Sequence, residues 1–188
     1  MEMSAAGTTA MGRGNWTAAA NQIKQQPSYV NLAAEASVTV TERTVTVNVE
    51  AFYTADSPVS SNFLNVALLQ NNTKGPQTGG NQGNNYNHMH RLVHLMTGQW
   101  GEEITTTSQG TLVERTYTFE VPAKFRNVFA DISELEVVVF MTETRQEIIS
   151  GNQTIVDVVP AAYSNDLAVV EIAEIKPTCL DTFNAKAS

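Results

Sequence analysis

The sequence predicts a mainly β protein, an immunoglobulin-like antiparallel β-sandwich of about seven strands with one short N-terminal helix. Two observations carry that expectation. From Ser37 to Tyr53 the chain reads SVTVTERTVTVNVEAFY, in which Val38 and Val40, then Val45, Val47, Val49 and Ala51, alternate with Thr, Asn and Glu. Such a period of two marks strands with one face buried and one wet. Further apolar runs of strand length follow along the chain, separated by turn-rich segments. Sheets buried on one face must pack against a second layer, which makes a sandwich.

Taken in order, the elements begin with a helix over 15–26, NWTAAANQIKQQ. Asn15 suits the N-cap, Trp16, Ala19, Ala20 and Ile23 fall on one face, and Pro27 ends the run. So short a helix is marginal alone and needs a surface to pack on. The first two strands flank a bend at Glu42-Arg43. NFLNVALLQ (62–70) is the third strand and the histidine segment 88–96 the fourth. In TLVERTYTFEV (111–121), Val113, Tyr117, Phe119 and Val121 share one face. LEVVVFMTET (135–144) is apolar on both faces over Val137–Met141, as a central strand is. QEIIS and QTIVDVV supply short edge strands. The longest irregular piece is NNTKGPQTGGNQGNN (71–85), read either as a flexible connection or as a binding loop whose composition suits a polar ligand such as a glycan.

Composition narrows the function classes. Of 188 residues, 42% are hydrophobic, enough for a packed core. No apolar run reaches the roughly 18 residues of a membrane-spanning helix, so no transmembrane segment is expected. The opening MEMSAAGTTAMGRG lacks the basic start and apolar stretch of a signal peptide. That leaves a cytosolic protein or a chain beginning downstream of its export signal. A net charge of −8, with no Lys/Arg stripe to offset it, argues against nucleic acid and anionic lipid as partners. The single cysteine, Cys179, excludes an internal disulfide and any C-x-x-C pair.

Every histidine lies in NYNHMHRLVHLMTGQWGEE (85–103). On one strand His88, His90 and His94 share parity, with His88 and His90 about 6.6 Å apart and His94 about 13 Å beyond. On a helix His90 and His94 pair and His88 falls away. A metal-binding module or metal-dependent hydrolase would use His88 and His90 with Glu102 or Glu103 folded back over them. Catalytic zinc normally takes three protein ligands, and an H-x-H spacing supplies two. The preferred reading has Met89, Val93 and Leu95 facing the core, with the imidazoles outside tying down the long loop. No G-x-S-x-G, H-E-x-x-H or P-loop is present. Trp100, between Gly98 and Gly101, either covers a sheet edge as the backbone turns or offers a sugar-stacking platform. Sequons at Asn15, Asn71 and Asn152 matter only in a glycosylating host.

NVALLQNNTKGPQ, NYNHMHRL and TGQWGEE, followed by LEVVVFM and QEI, resemble the outer-membrane-protein-28-related family of Bacteroidetes over about residues 29–156. Tyr86, His88, His90 and Leu92 match its Tyr-x-His-x-His-x-Leu-like core. The resemblance implies a surface or envelope lipoprotein, sometimes described as an adhesin or receptor. It also implies a thioredoxin-like domain ahead of the sandwich and further modules behind. On that reading 1–33 is a remnant of the upstream domain with its linker, and 34–160 is the sandwich. Residues 161–188 are then a linker and the truncated first strand of a following module. The location implied is extracytoplasmic, with the signal upstream, and neither catalytic residues nor redox chemistry carries over. The function expected is non-enzymatic: binding or adhesion, or spacing between adjacent domains. Gln77, Tyr86 and Trp100 are the candidate contacts for a protein or glycan, and no cofactor is expected.

Overall fold

The computed structural model describes residues 12–144 and 147–161. A single 3-10 turn, Arg13–Asn15, leads into α1 (Trp16–Ile23). Asn15 occupies the N-cap, but its side chain makes no capping bond and no helix residue is buried. Trp16 and Ile23 are exposed, so the apolar face foreseen for this helix is not covered by the sandwich.

From Val30 the period-two pattern takes over. The chain forms β1 (Val30–Thr39), β2 (Thr44–Tyr53), β3 (Asn62–Gln70), β4 (Thr73–Gly75), β5 (Tyr86–His88), β6 (Arg91–Leu95) and β7 (Glu102–Ile104). It continues through β8 (Leu112–Glu120), β9 (Lys124–Phe125), β10 (Val128–Phe129), β11 (Leu135–Thr142), β12 (Ile148–Ile155) and β13 (Asp157–Val159). One sheet has the order β13-β1-β2-β8, and the other β12-β11-β3-β6 with β7 also on β3. The chain crosses between layers from β2 to β3, and again from β8 to β11, as in immunoglobulin-like sandwiches. Pairing is antiparallel except that β13 runs parallel to β1. Alternate residues meet in the core: Val38, Val45, Val47, Val49 and Val113 from one sheet with Leu64, Val66, Leu68, Val137, Val139 and Met141 from the other.

The bend at Glu42-Arg43 is a turn in which Arg43 has φ 53°. Strand β11 lies between β3 and β12, which explains why its sequence is apolar on both faces. The edge candidates QEIIS and QTIVDVV prove to belong largely to one course, β12 then β13, that changes sheet at Val156. There the Val156 N–H donates to the Leu135 carbonyl at 3.2 Å. The core admits a polar chain: the buried Tyr53 hydroxyl donates to Asn62 Oδ1 at 3.0 Å, and Asn62 Nδ2 donates to the Tyr29 hydroxyl at 3.3 Å. Burial, with Tyr29 nearby, pushes the Tyr53 hydroxyl up to about 12.

Two expectations change. The fourth strand is not continuous over 88–96, because β5 ends at His88 and His90 turns left-handed, φ 55°, before β6 begins. The 71–85 segment is partly ordered, since β4 pairs with β5 and converts its ends into a hairpin. The tail proposed as a further strand, with Cys179, lies outside the described residues. Among the described residues no helix is long and apolar enough to cross a membrane.

Candidate functional site

The β4–β5 hairpin projects from one end of the second sheet, and both of its roots are kinked. Asn72 (φ 54°) precedes β4 and His90 (φ 55°) follows β5. Asn tolerates this region better than most residues, but a left-handed His must be held there. The restraints are visible. Asn71 Oδ1 accepts the His90 N–H at 2.7 Å, and Asn87 Nδ2 donates to Asn72 Oδ1 at 2.8 Å. Asn72 Nδ2 donates to Glu134 at 2.7 Å. His90 Nδ1 bonds Glu136, whose other oxygen accepts from Gln153 Nε2 at 2.8 Å. Burial opposes ionisation of Glu136, which is 4% exposed, yet the bonds from His90, Asn71 and Gln153 hold its carboxyl below its ordinary value. Two of the loop's amides, Asn71 and Asn72, therefore brace its base instead of facing a ligand.

The three histidines diverge. The His88 ring packs edge-on against Tyr86, ring centres 5.0 Å apart. His90 serves Glu136. His94 stacks on Phe119 of the opposite sheet at 3.9 Å, and burial lowers its imidazole from the ordinary value. The sequence placed this imidazole outside; the structure turns it inward. The cause is a bulge: Leu68 pairs with His94 and Leu69 with Leu92, so Val93 is the extra residue and the face alternation resets. Met89, expected in the core, is exposed, whereas Val93 does pack against the core.

Glu102 is engaged elsewhere. It accepts from Arg115 Nε and from the Tyr117 hydroxyl, each at 2.6 Å, linking β7 in one layer to β8 in the other. Its partner on β3 is Leu64, while Glu136, which holds His90, is opposite Leu69. That spacing is about 16 Å along the strand. The fold does not bring Glu102 to His88 and His90, and among the described residues no three His, Cys, Asp or Glu side chains are grouped to hold a metal ion.

Gln77 and Tyr86 do converge. A Cβ at Gly80 would lie 2.7 Å from the Tyr86 ring and 3.1 Å from Gln77 Cβ, so the absence of a side chain there lets the hairpin tip close. Trp100 is remote from them. It sits half-exposed in the turn between β6 and β7, next to Gly101, whose backbone lies against Leu64 and Asn65 on β3, roughly 15 Å along that strand from Leu69 opposite Glu136.

Residues that the sequence did not single out, Thr73, Lys74, Arg91 and Val128 among them, join His88 and Met89 at this end of the molecule. Thr73, Lys74, Gly75, Pro76, His88, Met89, Arg91 and Val128 line a cleft of about 420 Å³ between the hairpin and the β9–β10 ribbon. Arg91 Nη2 donates to the Phe125 carbonyl at 3.1 Å and so ties the ribbon in place. Arg91 also lines a second cleft of about 530 Å³ with Leu92, Val93, His94, Leu95 and Arg126. Lys74, Arg91 and Arg126 thus gather cations that no stripe in the sequence announced.

Fold and site define a class: an immunoglobulin-like sandwich bearing a braced hairpin at one end. The sequence matches the outer membrane protein Omp28 family over residues 5–163, and the chain belongs to that family. It is accordingly an extracytoplasmic protein of the outer membrane or cell surface. Solved structures that share the fold include two from one organism. HBP35 of Porphyromonas gingivalis is 17% identical with a TM-score of 0.62, covering 81% of this chain and 49% of its own. A domain of the outer membrane lipoprotein Omp28 from the same organism is 17% identical with a TM-score of 0.50, covering 70% and 98% respectively. The chain therefore spans about half the length of HBP35. No curated protein matches the sequence.

Proposed function

We propose that this chain is a non-enzymatic recognition module of a surface lipoprotein, with the β4–β5 hairpin as its contact face. Gln77 and Tyr86 make the contacts there, and Trp100 offers a separate platform on the sheet edge. The observation that carries this reading is the bracing of the hairpin. Left-handed conformations at Asn72 and His90 cost about 1–3 kcal/mol each for a non-glycine residue, and a buried carboxylate is committed to holding one of them. A loop that only connected two strands would not need so rigid a base. Function is commonly placed on loops positioned by a rigid scaffold.

The test is a binding screen against immobilised surface glycans and extracellular proteins, with wild type beside a Gln77→Ala/Tyr86→Ala variant. The variant should melt at the wild-type temperature and lose at least about tenfold in affinity for whatever wild type captures, the loss of one or two good contacts. Equal capture by both would leave spacing between adjacent domains as the role of the module.

A further inference from the structure

The cleft at the foot of the hairpin has chemistry of its own. It carries Lys74, Arg91 and His88, and among the described residues no Asp or Glu lines it, in a chain whose net charge is −8. Two polar atoms of its lining residues are buried without a hydrogen-bond partner among the described residues: Thr73 Oγ1 and Arg91 Nη1. Thr73 is only 5% exposed. An unpaired buried hydroxyl or guanidinium nitrogen is costly, and the cost is recovered when a small side-chain shift opens it to an acceptor in the cleft. Both are donors, and the shape that satisfies a donor pair beside a lysine is a carboxylate. Pro76, Met89 and Val128 provide apolar wall, and the volume falls within the roughly 300–1,000 Å³ of small-ligand sites. Past Pro76, the last lining residue on this side, the loop continues with exposed amides at Gln77, Asn81, Gln82, Asn84 and Asn85, whose chemistry matches the hydroxyls of a sugar.

We propose that this cleft binds the carboxylate of an acidic sugar, with Arg91 and Thr73 donating to it, Lys74 supplying charge, and the amides of the loop meeting the ring hydroxyls. The assignment rests on the hairpin being a recognition face and names the class of ligand it takes.

The experiment is an amide NMR titration of the protein with methyl glucuronide, with methyl glucoside, inorganic phosphate and N-acetylalanine as comparison probes. Methyl glucuronide should shift residues 73–76, 88–91 and 128, while the neutral glucoside leaves them in place. Lys74→Gln, an exposed change, should weaken binding about tenfold, in keeping with loss of one charge-assisted contact. Thr73→Val removes the unpaired hydroxyl at constant shape. It should weaken binding while leaving the melting temperature equal or higher, which separates a ligand role from a folding role. No shift at the cleft, or equal shifts with the glucoside, overturns the proposal. Equal or stronger binding of phosphate or N-acetylalanine overturns its sugar part. If glucuronide is silent but the Gln77→Ala/Tyr86→Ala variant still loses captured ligands, the recognition face stands and only the acidic-sugar assignment falls.

Discussion

Gly101 illustrates how closely single residues are specified. Its φ is 80°, and an added Cβ would come within 2.8 Å of the Leu64 carbonyl oxygen and 2.9 Å of the Asn65 amide. Gly101→Ala is therefore expected to cost roughly 2 kcal/mol, combining left-handed strain with a clash against backbone, read from urea unfolding. Gly98 shares the positive φ but has open space around it, so alanine there should cost less. Glu136 makes a different kind of statement. Its folded carboxyl titrates below the ordinary 4.5, so across that interval the unfolded chain binds more protons than the folded one. Its contribution to stability is complete above the ordinary value and is lost as pH falls through the folded one. Unfolding followed from neutral to acid pH should show a shallower decline in Glu136→Gln than in wild type. The sequence marks Gly101 as a turn glycine but not its approach to β3, and it gives no sign of the role of Glu136. Glu136 sits in an apolar run, and its partners His90 and Gln153 are supplied by other elements.

At the scale of elements, strands marked by alternation or by a continuous apolar run were legible: β2, β3, β8 and β11 lie where their apolar residues place them, whereas β1 begins at Val30, seven residues ahead of the alternation that starts at Ser37. The 88–96 segment was not, because its geometry is decided by two local irregularities set through tertiary contacts. A left-handed His90 separates β5 from β6, and the Val93 bulge reverses which side chains face inward. Parity arguments fail wherever a bulge intervenes, so three histidines that share a face on paper acquire three unrelated partners. Gln77 was singled out from loop composition and Tyr86 from the family resemblance, their proximity from neither, whereas Thr73, Lys74 and Arg91 become neighbours only once the hairpin folds back. His94 offers a check on the element. Burial between β6 and β8 lowers its imidazole, so the folded state resists the proton that the unfolded chain accepts below 6.5. Stability should decline as pH falls below that point, and His94→Phe, which keeps the stack on Phe119, should remove the decline in thermal melts run at a series of pH values.

The whole molecule is organised by the route of its last described strand. β12 belongs to the second sheet and β13 to the first, so one continuous course ties both layers together. Because β13 is parallel to β1, the chain enters that pair at one end and leaves it at the other, with Ser37 opposite Asp157 and Thr39 opposite Val159. Tension applied through the segments before Val30 and after Val159 slides the two strands along each other instead of peeling them apart. All the ladder bonds between them are then loaded together, whereas a hairpin pulled open breaks its bonds one at a time. Single-molecule pulling through residues 30 and 159 should accordingly require more force than pulling through residues 30 and 53, which face each other across the antiparallel β1–β2 pair. The expected consequence is that this parallel seam, and not the antiparallel β1–β2 pair, sets the force the sandwich bears when it is pulled along its chain.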